Sequence, residues 1–247
     1  MKHVLVIAGS DSSGGAGLTR DVATLTHFGV GALCALTAVT AQSDTAVTAV
    51  EVLPAAIVRA QIEAAFATGR VDAVKIGMLA TRVVVLAVAA ALAAHPITPV
   101  VLDPVLTSTS GTALLDAAGQ AALRERLLPR ATLITPNVAE AAALLGVAGG
   151  VGEPQRLAQG EALLALGARA VLLKGGHAPG PTAIDLLLVP GAPARRFSEP
   201  RIPQDRRGTG CALASAIAAG LAGAQDLSQA CARAKQHVTE LLRNTRS

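Results

Sequence analysis

Val4-Leu5-Val6-Ile7-Ala8-Gly9-Ser10-Asp11-Ser12-Ser13-Gly14-Gly15-Ala16-Gly17 runs from an unbroken apolar segment into a polar, glycine-rich loop. An apolar run of this length, without alternation, reads as a strand buried on both faces, which is the habit of a parallel sheet covered by helices. Helical periodicity takes over after the loop and continues through Phe28. Strand, loop and helix in this order put the loop at the C-terminal end of a strand, where α/β proteins bind their ligands. The loop is not a Walker A motif, because no Gly-Lys-Ser/Thr follows, and its glycine spacing misses the dinucleotide fingerprint. Asp11 separates it from a merely flexible connection, since a carboxylate among glycines can bind a hydroxyl or an amine.

Outward from this unit the alternation continues. Val30 to Val39 reads as a second strand, and Thr40-Ala41-Gln42-Ser43-Asp44-Thr45 leads into the β-rich Val47 to Leu53. Paired short strands projecting from an α/β core predict a lid, with Gln42 as its bidentate amide. A helix from Pro54 to Thr68 precedes the strand Val71 to Ile76, which ends at Gly77-Met78; Met78 suits an adaptable apolar wall or an ordinary core position. After a helix over Arg82 to Ala94, the strand Val100 to Leu102 ends in Asp103-Pro104-Val105, where Asp103 suits a metal, a phosphate site or a loop cap. A helix from Ala117 to Leu128 and a strand from Thr132 to Ile134 lead to Asn137 and Glu140, three apart at a helix start and so on one face. Capping accounts for Asn137, whereas Glu140 reads as an oxygen ligand near a metal-bound phosphate. The helix Pro154 to Leu166 and the strand Ala170 to Leu173 bring Lys174 beside two glycines, either to reach a phosphate or to sit in solvent. Ile184 to Val189 and Ala194 to Phe197 form an expected antiparallel pair around Pro190-Gly191, and a final helix spans Leu227 to Leu242.

Arg207-Gly208-Thr209-Gly210-Cys211 opens the small, apolar helical run Ala212 to Leu221. The unpaired amides of a helix start and the positive end of its dipole make an anion site. Cys211 in that first turn is placed where a thiolate is favoured, so its pKa is expected to fall toward neutrality and the residue to serve as a base or a nucleophile. A glycine-capped turn with Cys211 as a small core residue is the alternative.

Composition sets the bounds. No Pro/Ser/Gly-rich linker or charge run divides the 247 residues, so one domain over 1–247 is expected, with a core built from Ala, Val and Leu because aromatics make up 1%. The net charge of +4 comes from scattered arginines without a basic stripe, which argues against nucleic acid and for acidic small ligands. Three cysteines without a CxxC pair suit a reducing compartment, hence the cytoplasm. The apolar run at Val4 to Ala8 is short for a signal segment, and the longest, Val83 to Ala94, is short of a membrane span, so no membrane association is expected.

Taken in order, Gly-Ser-Asp-Ser-Ser-Gly-Gly-Ala-Gly (9–17), Thr-Ala-Gln (40–42), Lys-Ile-Gly-Met (75–78), Asp-Pro-Val (103–105), Ser-Gly-x-x-Leu-Leu (110–115), Thr-Pro-Asn-x-x-Glu (135–140), Leu-Lys-Gly-Gly-His (173–177) and Gly-Thr-Gly-Cys (208–211) resemble the hydroxymethylpyrimidine/phosphomethylpyrimidine kinases of thiamine biosynthesis. The resemblance spans nearly the whole chain. It implies a ribokinase-like fold, a three-layer α/β/α sandwich with a mainly parallel central sheet and a small β lid, and a homodimer that binds ATP, Mg2+ and an aminopyrimidine. By the same resemblance Gly9, Asp11, Gln42, Met78 and Val105 would serve the pyrimidine, with Met78 packed on its ring. Asn137, Glu140, Lys174 and Thr209 would serve the ATP phosphates, Glu140 and Asp103 the magnesium, and Gly208, Thr209, Gly210, Lys174 and Cys211 the transfer itself, with Cys211 as the base. Three segments depart from the family: Asp205-Arg206-Arg207 stands for Asn-Thr-His, the lid reads Gln-Ser-Asp for Gln-Asn-Thr, and Thr19-Arg20 replaces Gln-Ala. The paired arginines either favour an already phosphorylated pyrimidine or are solvated loop charges. A related pyridoxal or pyridoxine kinase and a non-catalytic nucleotide-binding homologue are the competing readings.

Overall fold

A computed structural model of the chain describes every residue except 109, 151, 177, 178, 205 and 245–247. His177 and Asp205, which belong to two of the segments quoted above, lie outside the described residues. The chain opens with β1 (His3–Ala8), α1 (Gly17–His27) and β2 (Gly31–Leu36). The single strand expected over Val30 to Val39 is broken at Thr37, whose amide donates to the Ala8 carbonyl and whose hydroxyl donates to the Met78 carbonyl. There the chain leaves the central sheet as β3 (Ala38–Gln42), which pairs antiparallel with β4 (Val47–Val52) in a separate two-stranded sheet. The register shifts between Ala41 and Gln42, a bulge of the kind that re-aims a side chain.

Next come α2 (Ala55–Ala67), β5 (Ala73–Ile76), α3 (Arg82–Ala93) and β6 (Val100–Leu102). The helix expected from Ala117 to Leu128 changes its winding. α4 (Ala117–Ala122) passes into a π turn at Leu123–Leu127 and a 3-10 turn at Leu128–Arg130, where Pro129 has no N–H with which to continue an α-helix. The rest comprises β7 (Leu133–Ile134), α5 (Val138–Leu145), α6 (Glu153–Ala165), β8 (Val171–Leu173), β9 (Thr182–Leu188), β10 (Arg195–Pro200), α7 (Thr209–Ala222) and α8 (Leu227–Arg243).

Among the described residues the central sheet has the order β10-β9-β8-β7-β6-β5-β1-β2, parallel from β2 to β8 and antiparallel at β9 and β10. Successive strand residues face opposite layers, as the period of two requires. Leu5, Ile7, Val74, Ile76, Leu102 and Ile134 pack against α2 to α6, while Val4, Val6, Ala73, Val101 and Leu133 pack against α1, α7 and α8. The result is the expected three-layer α/β/α sandwich. Alanines and glycines on α7 let it lie close to the sheet, and nearly all of it is buried. Because β1, β5, β6, β7 and β8 run parallel, the loops after them emerge at one edge, together with the start of α7 and the β3–β4 ribbon.

Candidate active site

The start of α7 supplies the first half of the site. Gly208 caps the helix at φ +75°, a left-handed conformation that a side chain would strain. The first intrahelical bond runs from the Ala212 amide to the Gly208 carbonyl at 2.9 Å, so the amides of Thr209, Gly210 and Cys211 have no acceptor within the helix. They open on a cavity of about 1060 Å³ that is also lined by Gly9, Asp11, Gln42, Met78, Asp103, Val105, Asn137, Glu140 and Lys174. Every site residue singled out from the sequence therefore borders one cavity.

At one end of it Lys174 is drawn between two carboxylates, 3.0 Å from Asp103 Oδ1 and 3.5 Å from Glu140 Oε2. Burial lowers the lysine's pKa, but Asp103 and Glu140 outweigh it and hold the ammonium above its ordinary value. Nζ also lies 3.3 Å from where a side chain on Gly210 would begin, so the cation stands beside the free amides of α7. Asp185, which the sequence did not mark, fixes this strand end by accepting from the Gly175 amide while paired with Lys235 at 2.8 Å.

Glu140 requires a correction. Its Oε2 accepts from the Asn137 amide while Asn137 Oδ1 accepts from the Glu140 amide, a complete capping box, so capping explains both residues and not Asn137 alone. Burial and the neighbouring Asp103 raise the Glu140 carboxyl, against the attraction of Lys174. Glu140 Oε1 and Asp103 Oδ2 remain outside these bonds. No group of three or more His, Cys, Asp or Glu that could hold a metal occurs among the described residues. Two free carboxylate oxygens beside a phosphate site nevertheless fit Mg2+, which takes one or two protein carboxylates and fills its shell with phosphate and water.

Cys211 is corrected in direction. Burial pushes its thiol up to about 11, with Asp21 and Asp103 adding to the rise and with Lys75 and a hydrogen bond from Gly17 opposing it. Desolvation of the charged form outweighs the helix end. Beneath the thiol lies a pair that no sequence pattern announced. Lys75, fully buried on β5, donates to Asp21 of α1 at 2.8 Å, and Ser215, one turn along α7 from Cys211, donates to the other oxygen of Asp21 at 2.8 Å. Burial lowers the Lys75 pKa, but Asp21, Cys211 and Asp103 together raise it, so the ammonium is retained.

The other end of the cavity sets an apolar wall beside a polar cluster. Met78 packs with Ala38 and Leu114 against Ala80 and Val105, and its Sδ comes within 2.9 Å of where a side chain on Gly9 would start, an approach only glycine permits. Gln42 is anchored through its main chain, with amide and carbonyl both bonded to Ser12 Oγ, and its Oε1 accepts from Thr40. Asp11 is buried, with Oδ1 accepting from the amide and hydroxyl of Ser13 and Oδ2 accepting from Arg207 at 2.7 Å. Arg207 is thus no solvated loop charge, contrary to one of the two readings its sequence allowed. Arg206 donates to the Leu241 carbonyl, and Arg20 to that of Gly15.

This arrangement can bind phosphates at the start of α7, hold a cation beside them, and seat a flat polar ring under the ribbon. Residues 11–247 match the family model described as phosphomethylpyrimidine kinase. The hydroxymethylpyrimidine/phosphomethylpyrimidine kinase of Rhizobium meliloti is 46% identical over 95% of this chain and 88% of that protein. The thiamine biosynthesis bifunctional protein ThiED of Geobacter sulfurreducens is 43% identical over 97% of this chain, which spans 49% of that protein. Among solved structures, the phosphomethylpyrimidine kinase of Clostridium difficile 630 superposes with a TM-score of 0.86 at 36% identity, over 98% of this chain and 100% of that one. An ADP complex of Bacillus subtilis pyridoxal kinase gives 0.89 at 32% identity, over 97% and 90%. With the match running from the Asp11 loop through the start of α7 to the end of the chain, the protein belongs to the phosphomethylpyrimidine kinase family.

Proposed function

We propose that the chain transfers the γ-phosphoryl group of ATP to 4-amino-5-hydroxymethyl-2-methylpyrimidine, or to its monophosphate, in thiamine biosynthesis. One observation carries the reading: in a member of this family, the Lys174–carboxylate cluster, the free amides of α7 and the apolar wall beside Gln42 meet in one cavity. Phosphoryl transfer asks chiefly for positioning and for donors aimed at developing negative charge. In this reading Lys174, Asn137 and Thr209 hold the ATP phosphates, and the amides of Gly208 to Cys211 receive the charge that develops on the transferred group. Glu140 and Asp103 would hold Mg2+, which when bound offsets phosphate charge. Asp11 and Gln42 orient the pyrimidine, Met78, Val105 and the bare backbone of Gly9 seat its ring, and the thiolate form of Cys211 takes the proton of the alcohol's hydroxyl.

A pyridoxal kinase is the second reading, favoured by the TM-score of 0.89 with the B. subtilis enzyme. A non-catalytic homologue would be expected to lose Lys174, Glu140 or Cys211, and all three border the cavity. The same proposal takes residues 1–247 as one kinase domain that works in the cytoplasm as a homodimer without nucleic acid; light scattering tests the assembly. No helix among the described residues is long and apolar enough to cross a membrane.

The test is ADP release from ATP with the pyrimidine alcohol, its monophosphate or pyridoxal as acceptor. Release with either pyrimidine supports the reading, and release with pyridoxal alone replaces it by the second. Gln42→Leu should raise KM for the pyrimidine steeply and for ATP little; unchanged kinetics would remove Gln42 from the site.

A further inference from the structure

Arg207 is held from two sides at the pyrimidine end of the cavity. Its Nη2 donates to Asp11 Oδ2 at 2.7 Å, and its Nη1 lies 3.0 Å from Ser13 Oγ, 2.6 Å from the Ser43 carbonyl and 3.4 Å from Asp44 Oδ1. It therefore ties the loop after β1 to the tip of the β3–β4 ribbon, from a position one residue before the cap of α7. Its side chain is only 13% exposed and borders the cavity. A guanidinium carries five N–H donors. The Nε–H of Arg207 has no acceptor among the described residues, so a donor remains on a group whose geometry is already fixed.

The charges around it point to the ligand. Asp11 is 3% exposed at its side chain and has Arg207 as its ion-pair partner. Without that arginine, this corner would present a bare, poorly hydrated carboxylate to whatever enters beside the α7 amides, and an anionic group would be repelled. With it the buried Asp11 charge is offset, while Asp44, the guanidinium's second carboxylate neighbour at 3.4 Å, is 88% exposed and screened by solvent, and the corner still offers a donor. Arg20 and Arg206 border the same cavity, and neither is ion-paired among the described residues, so the local balance favours an anion.

We propose that Arg207 is a specificity-determining residue, selecting an acceptor that carries a phosphate on the arm facing Asp11 over the neutral alcohol. The inference rests on the pyrimidine-kinase reading. Its contacts to Ser13, Ser43 and Asp44 pre-organise the guanidinium, so little side-chain entropy remains to be lost when the phosphate arrives.

The experiment compares kcat/KM for the monophosphate and the alcohol in the wild type, Arg207→Gln and Asp11→Asn/Arg207→Gln. Loss of a charge-assisted contact should lower the monophosphate value by about 10- to 100-fold in Arg207→Gln and the alcohol value much less. The double variant should recover part of the monophosphate value, because it also removes the bared carboxylate. Arg207→His, mostly neutral at pH 8, gives the same comparison where the glutamine variant does not fold. An equal fall for both acceptors, or an unmoved ratio, overturns the inference and leaves Arg207 as a tie between loop and ribbon. A wild type that phosphorylates neither pyrimidine is a different result, and refutes the functional reading on which the inference stands.

Discussion

A thiol in the first turn of a helix is subject to two opposed influences, and Cys211 shows which prevails. The helix end and the Lys75 ammonium favour the thiolate, yet burial disfavours any charge and leaves the group at about 11. Near neutrality Cys211 is protonated, and the fraction able to accept a proton grows as pH rises toward that value. If it is the base, kcat should climb with pH from 7 to 9, and Cys211→Ala should lower kcat by about 10² to 10⁴ with KM for ATP little changed. Cys211→Asp should restore part of the loss and flatten the climb. An alanine variant with full kcat at every pH would mean that the thiol only packs. Glu140 invites a different separation, because glutamine also completes a capping box. Glu140→Gln should keep the cap, with Lys174 still paired to Asp103, while raising the Mg2+ concentration needed for half-maximal rate; an unchanged Mg2+ requirement would confine Glu140 to capping. That Asp11, Asn137 and Lys174 border one cavity was legible in the sequence because each sits where a strand gives way to a loop or a helix. The pairing of Arg207 with Asp11 was not, since the two lie 196 positions apart, although a preference for a phosphorylated pyrimidine was one of the two readings its sequence allowed.

At the scale of elements, Val30 to Val39 read as one strand because a lone threonine is at home inside strands, so Thr37 gave no sign of the break. That break is set by acceptors on two other strand ends, the carbonyls of Ala8 and Met78, which local pattern does not encode. The Lys75–Asp21–Ser215 network is hidden for the same reason. A lysine inside an apolar strand gains sense only once α1 and α7 bring a carboxylate and a hydroxyl to it. It joins β5, α1 and α7 directly beneath the anion site. Removing one partner leaves the other charge buried and alone, so Lys75→Met should cost about 3–5 kcal/mol, whereas Lys75→Met/Asp21→Leu should recover much of it. Urea denaturation midpoints measure both. A single variant as stable as wild type would show that the pair contributes nothing to holding α7 in place.

Over the whole molecule the alternation of apolar runs and helical periods was enough to read a mainly parallel sheet covered on both faces, and parallel strands with right-handed crossovers leave few other topologies. The sheet order and the break that sends β3 and β4 out as a ribbon depend on contacts between segments far apart, and appear only in the folded chain. Similar architecture serves proteins named for pyrimidines and for pyridoxal, so the ring that the cavity prefers is the central question. Competition decides this most directly. The chain is given equimolar pyrimidine monophosphate and pyridoxal with limiting ATP and Mg2+, and the products are quantified by mass spectrometry. The pyrimidine diphosphate is expected to dominate; a product mixture dominated by pyridoxal phosphate, or ATP left unconsumed, would contradict the account.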